Sequence, residues 1–400
     1  MSLQDEYNSI GISRVSHLKK LNYIQSFEIQ IERPKLAVQT KYLDENLAPE
    51  VETGKWRASS CSIIQYHGYY LVNCRMVNYH QEGHYFTPME EDNIIRTRNY
   101  LILLDKDFQS IMTSELSDLT EKVRYIHHIR GIEDVRICML PTHIDNTTKD
   151  TEETDIYVDF MSGITQNDFK DNISCWSERS HVGFTCVTYD NYPNMCIPRI
   201  SVGSFRPEFP YETYISNIKE MVIKPAITVE KNWMPFVSHN HLKLIYSFNP
   251  LTIIDVDSNS KTEIDISDLC SDVKDFRGGA GPIVYKQGEE FGLLCVIHHV
   301  IDVIGKSRLY LHRFVWISPK YSIKVSNSFY LENINVEFCL GLSHRFDSNS
   351  VLLCAGIRER RPMCYEISCE VIDEMLQFLD TTKRTNINDN NSLTTIVENK

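Results

Sequence analysis

The sequence predicts an all-β chain folded as a five-bladed β-propeller, with an N-terminal extension and a short C-terminal helix. Three observations carry this. One unit recurs: a short strand, a polar turn, a strongly apolar strand, then a polar or small residue. Its later copies are spaced by about fifty to sixty residues, the period of a blade built from four strands. Helical periodicity is scarce elsewhere, and short β-rich runs are divided by Gly, Asn, Asp and Pro. A β-sandwich with appendages is the rival architecture.

Residues 1–50 show no clear pattern and read as an extension lying over one face of a propeller that spans 51–380. "SIIQYHGYYLVNCR", Ser62 to Arg75, is the first hairpin, and "NYLILLD" supplies a further strand. "SIMTSELSDLTEKV", Ser110 to Val123, has helical spacing and is read as a helix. "GIEDVRICML" and "GFTCVTYD" supply one blade, and "HIDNTTKDTEETD" between them, His143 to Asp155, reads as an exposed acidic loop. "MPFVSHNHLKLIYSF", Met234 to Phe248, is continued by "NPLTIIDVD". "PIVYKQGEEFGLLCVIHH", Pro282 to His299, is continued by "RLYLHRFVWIS", and "LGLSHRFDSNSVLLCAG", Leu340 to Gly356, forms the last hairpin. In "SCEVIDEMLQFL", Ser368 to Leu379, the residues Val371, Met375, Leu376 and Leu379 fall at helical spacing. Residues 381–400 have a composition that cannot build a core and read as a disordered tail.

The formal net charge is −13, from 54 acids against 41 Lys plus Arg. This balance disfavours nucleic acid and anionic membrane as partners, since both call for a basic face. The first twenty residues are polar, so no secretory signal is expected, and no apolar run reaches the length of a bilayer span. The 12 cysteines are scattered, without a C-x-x-C pair. They read as reduced core thiols of a cytoplasmic protein. Clustered zinc ligands are absent, and His127 and His128 would point to opposite faces of a strand. Neither a metal nor a cofactor is expected.

Three stretches carry candidate chemistry. "RGIEDVRI", Arg130 to Ile137, sets Glu133, Asp134 and Arg136 among aliphatic residues, where charges are costly unless paired or used. Strict alternation would put Glu133, Val135 and Ile137 on one face and Asp134 with Arg136 on the other. Such a pair is either half of a salt bridge or part of a polar site at a propeller mouth. "EKNWMPF", Glu230 to Phe236, offers hydrogen-bonding groups in Lys231 and Asn232, and an aromatic face in Trp233 that suits a pyranose. A blade turn with one core Trp is the plainer reading. "FRGGAGPIVY", Phe276 to Tyr285, frees backbone N–H groups near Gly279 for an oxyanion. It is neither a Walker loop nor a dinucleotide fingerprint. With His298 in "VIHHV" and Arg313 in "YLHRF", Arg277 is expected to form a compact cationic pocket; a tight turn and a core histidine are the alternatives.

In this order, the stretches resemble the five-bladed propeller family of β-mannoside phosphorylases and related mannosyltransferases. The likeness rests on Gly131-Ile132-Glu133-Asp134-Val135-Arg136, on Lys231-Asn232, and on the run Gly278 to Pro282 with His298. "EKNW-x-PF", "RGG" and "H-x-V…HRF" look closer still to a branch found beside glycosyltransferases. The resemblance covers about residues 55–370. It implies a glycosyl transfer, of a mannosyl unit, to or from phosphate or an acceptor sugar with inversion. Asp134 would be the general acid. Arg75, Glu133, Arg136, Lys231, Asn232, Trp233 and Glu359 would contact the sugar. Arg277, Gly279, His298 and Arg313 would contact phosphate or a nucleotide-sugar donor. Inverting attack by phosphate needs no second carboxylate, because the nucleophile is already anionic, whereas a hydrolase needs a base. Val135 stands where the family has Pro. The family's two phosphate-binding arginines of the middle blade and its late Asp are not matched; Arg199 and Arg206 are the candidates for the arginines, and Glu359 for the Asp. A catalytically silent propeller that binds glycan or protein is the reading from a different class.

Overall fold

The computed structural model describes residues 13–14, 19–21, 56–82, 85–88, 94–119, 129–140, 181–192, 195–210, 212–223, 229–238, 241–265, 273, 275–301, 308–332 and 336–377. The loop reading of 143–155 and the tail reading of 381–400 lie outside these residues. Five antiparallel sheets form the blades. Blade 1 runs outward through Arg57–Tyr66, Tyr69–Val77, Ile95–Leu104 and Ser110–Asp118. Blade 2 is Glu133–Met139, Val182–Tyr192, Met195–Phe205 and Ile218–Glu220. Blade 3 is Met234–Ser238, His241–Phe248, Leu251–Asp255 and Lys261–Ile264. Blade 4 is Arg277–Gln287, Glu290–Ile301 and Leu309–Ile317, with Ile323–Val325 and Phe329–Tyr330 both on its outer edge. Blade 5 is Glu337–His344, Ser350–Ile357 and Arg361–Ser368.

The first strand of each blade packs against the first strand of the next, and blade 5 packs back on blade 1, so the ring closes. One apolar core fills each gap between blades. Tyr70, Val72 and Cys74 face blade 5, while Leu71 faces blade 2. Both faces of a blade are therefore buried, and its middle strands read as continuous apolar runs, not as half-polar alternation. That is why "GLLCVIHH" and "VLLCAG" look alike.

The chain start contributes strands. Lys19–Leu21 pairs antiparallel with Arg361–Ser368 and completes blade 5, and Ser13–Arg14 pairs parallel with Phe329–Tyr330 at the edge of blade 4. The helix Cys369–Gln377 is capped by the Ser368 hydroxyl and buries Ile372 and Leu376 against blades 4 and 5. The second expected helix is a strand, Ser110–Asp118. Its helical spacing is overridden by pairing on both sides, with Ile95–Leu104 and with Thr213–Ile215. Among the described residues, no helix is long and apolar enough to cross a membrane.

Candidate active site

Inner strands that all run the same way put their first residues at one mouth, and each second strand ends there too. Ser59, Glu133, Asp134 and Arg277 begin inner strands, and Lys231 and Asn232 immediately precede one. Arg75, Tyr189 and His298 lie near the ends of second strands, and Glu359 follows one.

The loop into blade 2 is held from blade 1. Asn73 Nδ2 donates to Asn99 Oδ1, and Asn99 Nδ2 donates to the Ile132 carbonyl. Gly131 has φ +93°, and a Cβ there would lie 2.1 Å from the Thr97 carbonyl oxygen, so only glycine fits. The next strand bulges. Three steps from Glu133 to Arg136 oppose two steps from Val187 to Thr185, and Asp134 takes φ +51°. The bulge overturns the alternation expected from the sequence. Glu133 and Asp134 both reach Arg75, with Nη2 at 2.8 Å from Glu133 Oε1 and Nη1 at 2.9 Å from Asp134 Oδ1. Tyr189 donates to the other oxygen of Glu133 at 2.5 Å. Both oxygens of Glu133 are thus occupied, while Asp134 Oδ2 has no protein partner among the described residues. Burial works against the charge of Arg75, but Glu133, Tyr79 and Asp134 hold it well above the ordinary arginine value.

Arg136 does not pair with the Asp134 carboxylate. It leaves the other face of the bulge and crosses toward the axis. Nε donates to the Gly279 carbonyl at 2.8 Å, Nη1 to the Asp134 carbonyl at 3.1 Å, and Nη2 to Asn232 Oδ1 at 3.3 Å. Its guanidinium lies over the Phe338 ring, so one side chain of blade 2 touches blades 3, 4 and 5. It is 2% exposed. It is a pin beneath the mouth with no surface left for a sugar, a correction to its expected role. Burial, opposed by Asp134, lowers its pKa to about 10.

One further sugar contact, that of Trp233, is corrected. Trp233 is 1% exposed, packed in the core between blades 2 and 3 with its ring edge-on to Tyr246. No face is left for a pyranose. Asn232, at φ +69°, has its Oδ1 committed to Arg136. Lys231 differs: it is open to the mouth yet ringed by protein. Burial, with Arg277 and Arg308, lowers its pKa against the opposing pull of Asp134 and Glu133.

The expected cationic pocket is partly formed. Arg277 and His298 are register partners on one face of blade 4. Arg313 is registered opposite Ile297, one residue out of phase, and so leaves on the other face. There its guanidinium lies over Phe276 and donates to Ser328 Oγ at 3.0 Å. The glycine run is a bulged inner strand, not a nest. Gly279 turns its carbonyl toward Arg136. His298 is buried against Tyr310 and Phe338, and its Nδ1 has no hydrogen-bond partner. Burial, then His312, Arg136, Arg277 and Lys231, push its pKa well below the ordinary value, so the ring is neutral. The cations at this side of the mouth are Lys231, Arg277 and Arg308. Arg199 lies 4.0 Å from Glu220 on the outer strands of blade 2, and Arg206 acts on Tyr66 at the far end of blade 1.

Glu359 enters from blade 5 and accepts a 2.7 Å hydrogen bond from Ser59 Oγ. It shares the mouth with Arg75, Glu133 and Asp134. Sequence reasoning missed Ser59, Tyr79, Tyr189, Arg308 and Tyr310. Tyr189, near the end of a second strand, and Tyr79, just past one, could have been suspected as polar residues where Arg75 had been found. Away from the mouth, His241, Asp255 and Asp257 bring possible ligand atoms within 4.8 Å of one another at the rim of blade 3.

No protein-family model and no curated protein matches the chain. Solved structures similar to it in shape include three sugar-active enzymes. A β-1,2-mannobiose phosphorylase from Listeria innocua is 11% identical, with a TM-score of 0.43, over 83% of this chain and 96% of that one. A glycosyl hydrolase from Bacteroides ovatus is 10% identical, with a TM-score of 0.43, over 78% and 85%. A mannose phosphorylase from Leishmania mexicana is 10% identical, with a TM-score of 0.40, over 79% and 85%.

Proposed function

We propose that this propeller is a carbohydrate-active enzyme that transfers a glycosyl unit, of mannosyl type, to or from phosphate or an acceptor sugar, with inversion. One observation carries the reading. Of the two adjacent acids clamped by Arg75, Glu133 has both oxygens occupied, and Asp134 keeps Oδ2 open at the mouth. Asp134 is the general acid in this reading. Its open oxygen meets a substrate hydroxyl, through which the proton reaches the departing glycosidic oxygen. Arg75 and Glu133 hold that carboxyl in place. Lys231 and Arg277, which have no ion-pair partner among the described residues, receive the anion, with His298 as a neutral hydrogen-bonding group beneath them. A phosphate nucleophile arrives charged, so no second carboxylate is required to activate it.

The silent binding module has one observation in its favour. Of the two candidates for the phosphate arginines, Arg206 acts on Tyr66 at the far end of blade 1, and Arg199 is engaged by Glu220. The test is a screen of the folded protein with mannosyl phosphate, nucleotide-mannose and β-mannosides, with and without phosphate, followed by anomer-resolved NMR. Turnover with an inverted product supports the enzyme. Saturable sugar binding without turnover of any donor selects the binding module.

A further inference from the structure

We propose that Tyr310 is the aromatic platform of the mouth, on which a pyranose ring of a β-mannoside lays its C–H face. This rests on the reading of the mouth as a sugar site, and it moves to blade 4 the part that the sequence suggested for Trp233.

A platform is a ring held firmly from one side, partly exposed, and set among groups that bind the sugar's hydroxyls. Most aromatic rings near the mouth are used otherwise. Trp233 is sealed in the core between blades 2 and 3. Tyr79 is buried, and its hydroxyl accepts from Arg75. The Tyr189 ring packs on the core between blades 2 and 3, and its hydroxyl is committed to Glu133. Phe338 lies beneath the Arg136 guanidinium.

Tyr310 differs on each count. It is the second residue of the strand Leu309–Ile317, which starts at the mouth. It is registered opposite Val300, two positions from the His298–His312 pair. It therefore shares a face of blade 4 with His298 and Arg277, the face turned to blade 5. Its ring stacks on the His298 imidazole, with centroids 5.6 Å apart and planes 22° from parallel. Phe338 meets it edge-on at 6.2 Å and holds His298 edge-on at 5.0 Å, so the support is itself supported. One face and one edge are thus held; among the described residues no ring lies on the other face, and the side chain is partly exposed. Arg308, two residues earlier and on the same face, donates to the Tyr310 hydroxyl and fixes the tilt of the ring. Glu359 and Asp134 lie close enough to act on that hydroxyl. A sugar resting on this ring lies beside the carboxyl that Arg75 holds.

The probes are β-linked mannobioses, titrated into wild type, Tyr310→Phe and Tyr310→Leu and followed by proton NMR, with urea unfolding to show that each variant is folded. Phenylalanine keeps the ring and loses the hydroxyl. Leucine keeps apolar volume and loses the flat face. On binding to wild type, C–H protons on one face of a sugar ring should move upfield, as they do over an aromatic ring. Tyr310→Phe should keep those shifts and bind within about threefold of wild type. Tyr310→Leu should lose them and bind roughly tenfold more weakly. If the leucine variant does not fold, the shifts in wild type and Tyr310→Phe still decide. Mannobiose bound by wild type without upfield shifts overturns the proposal alone. So does a folded Tyr310→Leu that binds as wild type does, or a Tyr310→Phe as weak as the leucine variant, since the hydroxyl and not the ring would then hold the sugar. Absence of mannobiose binding by wild type overturns the reading of the mouth and this proposal with it.

Discussion

Arg75 lies 2.9 Å from Oδ1 of Asp134 and leaves Oδ2 of that carboxylate open. The same guanidinium holds Glu133 and Tyr79, so one buried cation organises the acidic half of the mouth. Replacing Arg75 by Met leaves Glu133 and Asp134 as partly buried carboxyls without their donor. Loss of one partner from a buried pair costs about 3–5 kcal/mol. Denaturant unfolding of Arg75→Met should show a loss of that size near neutral pH. An unchanged midpoint at neutral pH would mean that the clamp is ornamental.

Arg136 presents a different balance. Its three bonds all go to neutral oxygens, and burial lowers its pKa from 12.5 to about 10. That lowering corresponds to about 3 kcal/mol against the charged form. Removing the guanidinium relieves this cost and leaves acceptors unpaired, at about 1–3 kcal/mol each. Three acceptors left unpaired together equal or outweigh that relief. Arg136→Met should therefore be less stable than wild type, by up to about 6 kcal/mol, and lose turnover of its folded fraction at least tenfold, because the Asp134 carbonyl and Asn232 lose their anchor. A stable variant with full activity would remove Arg136 from the account of the site.

Gly278 tests how tightly blade 4 supports the Lys231–Asn232 corner. A Cβ at Gly278 would lie 2.1 Å from the Asn232 carbonyl oxygen, an impossible contact with backbone. Gly278→Ala should cost about 3 kcal/mol in thermal or urea unfolding. Gly288→Ala is the control: nothing lies within 4 Å of its Cβ, and only its φ of +65° is strained. It should cost about 1 kcal/mol. Equal effects would mean that the two corners do not differ in packing.

Lys231 gives the proposed anion site a pH signature. Its ammonium deprotonates below the ordinary lysine value, mainly because of burial. An anion needs the charged form, so affinity should fade as pH rises through that lowered value. The increase in melting temperature produced by millimolar phosphate should shrink as pH rises, before the pH at which surface lysines titrate. Lys231→Met should show a smaller phosphate effect with no such decline. A phosphate effect in the variant that matches wild type would place the anion elsewhere.

The blades were legible because each repeats a hairpin whose apolar runs feed two cores at once. Leu71 and Val72, adjacent in sequence, serve different cores, and the sequence shows that only as an unbroken run. The site was legible as residues and not as geometry. "GIEDVR" announces Glu133, Asp134 and Arg136, but the bulge that swings Asp134 onto Arg75 and Arg136 into the axis depends on pairing with Val187 and Thr185, far along the chain. Trp233 looked like a sugar platform because an aromatic beside Lys and Asn has the same composition in a core as in a site. The strands Ser13–Arg14 and Lys19–Leu21 are too short to leave a period of their own and are specified by the blade edges they join.

The central claim is that Asp134 is a working acid at the mouth. Asp134→Asn keeps the shape and an oxygen facing Arg75, and removes the transferable proton. Glycosyl transfer and urea unfolding measured on the same preparation decide the matter. The account predicts turnover lowered by about a hundredfold or more, as for a lost general acid, with stability within about 1–2 kcal/mol of wild type. A variant that is clearly destabilised yet turns over substrate in proportion to its folded fraction would contradict it, and would leave Asp134 as half of a structural ion pair.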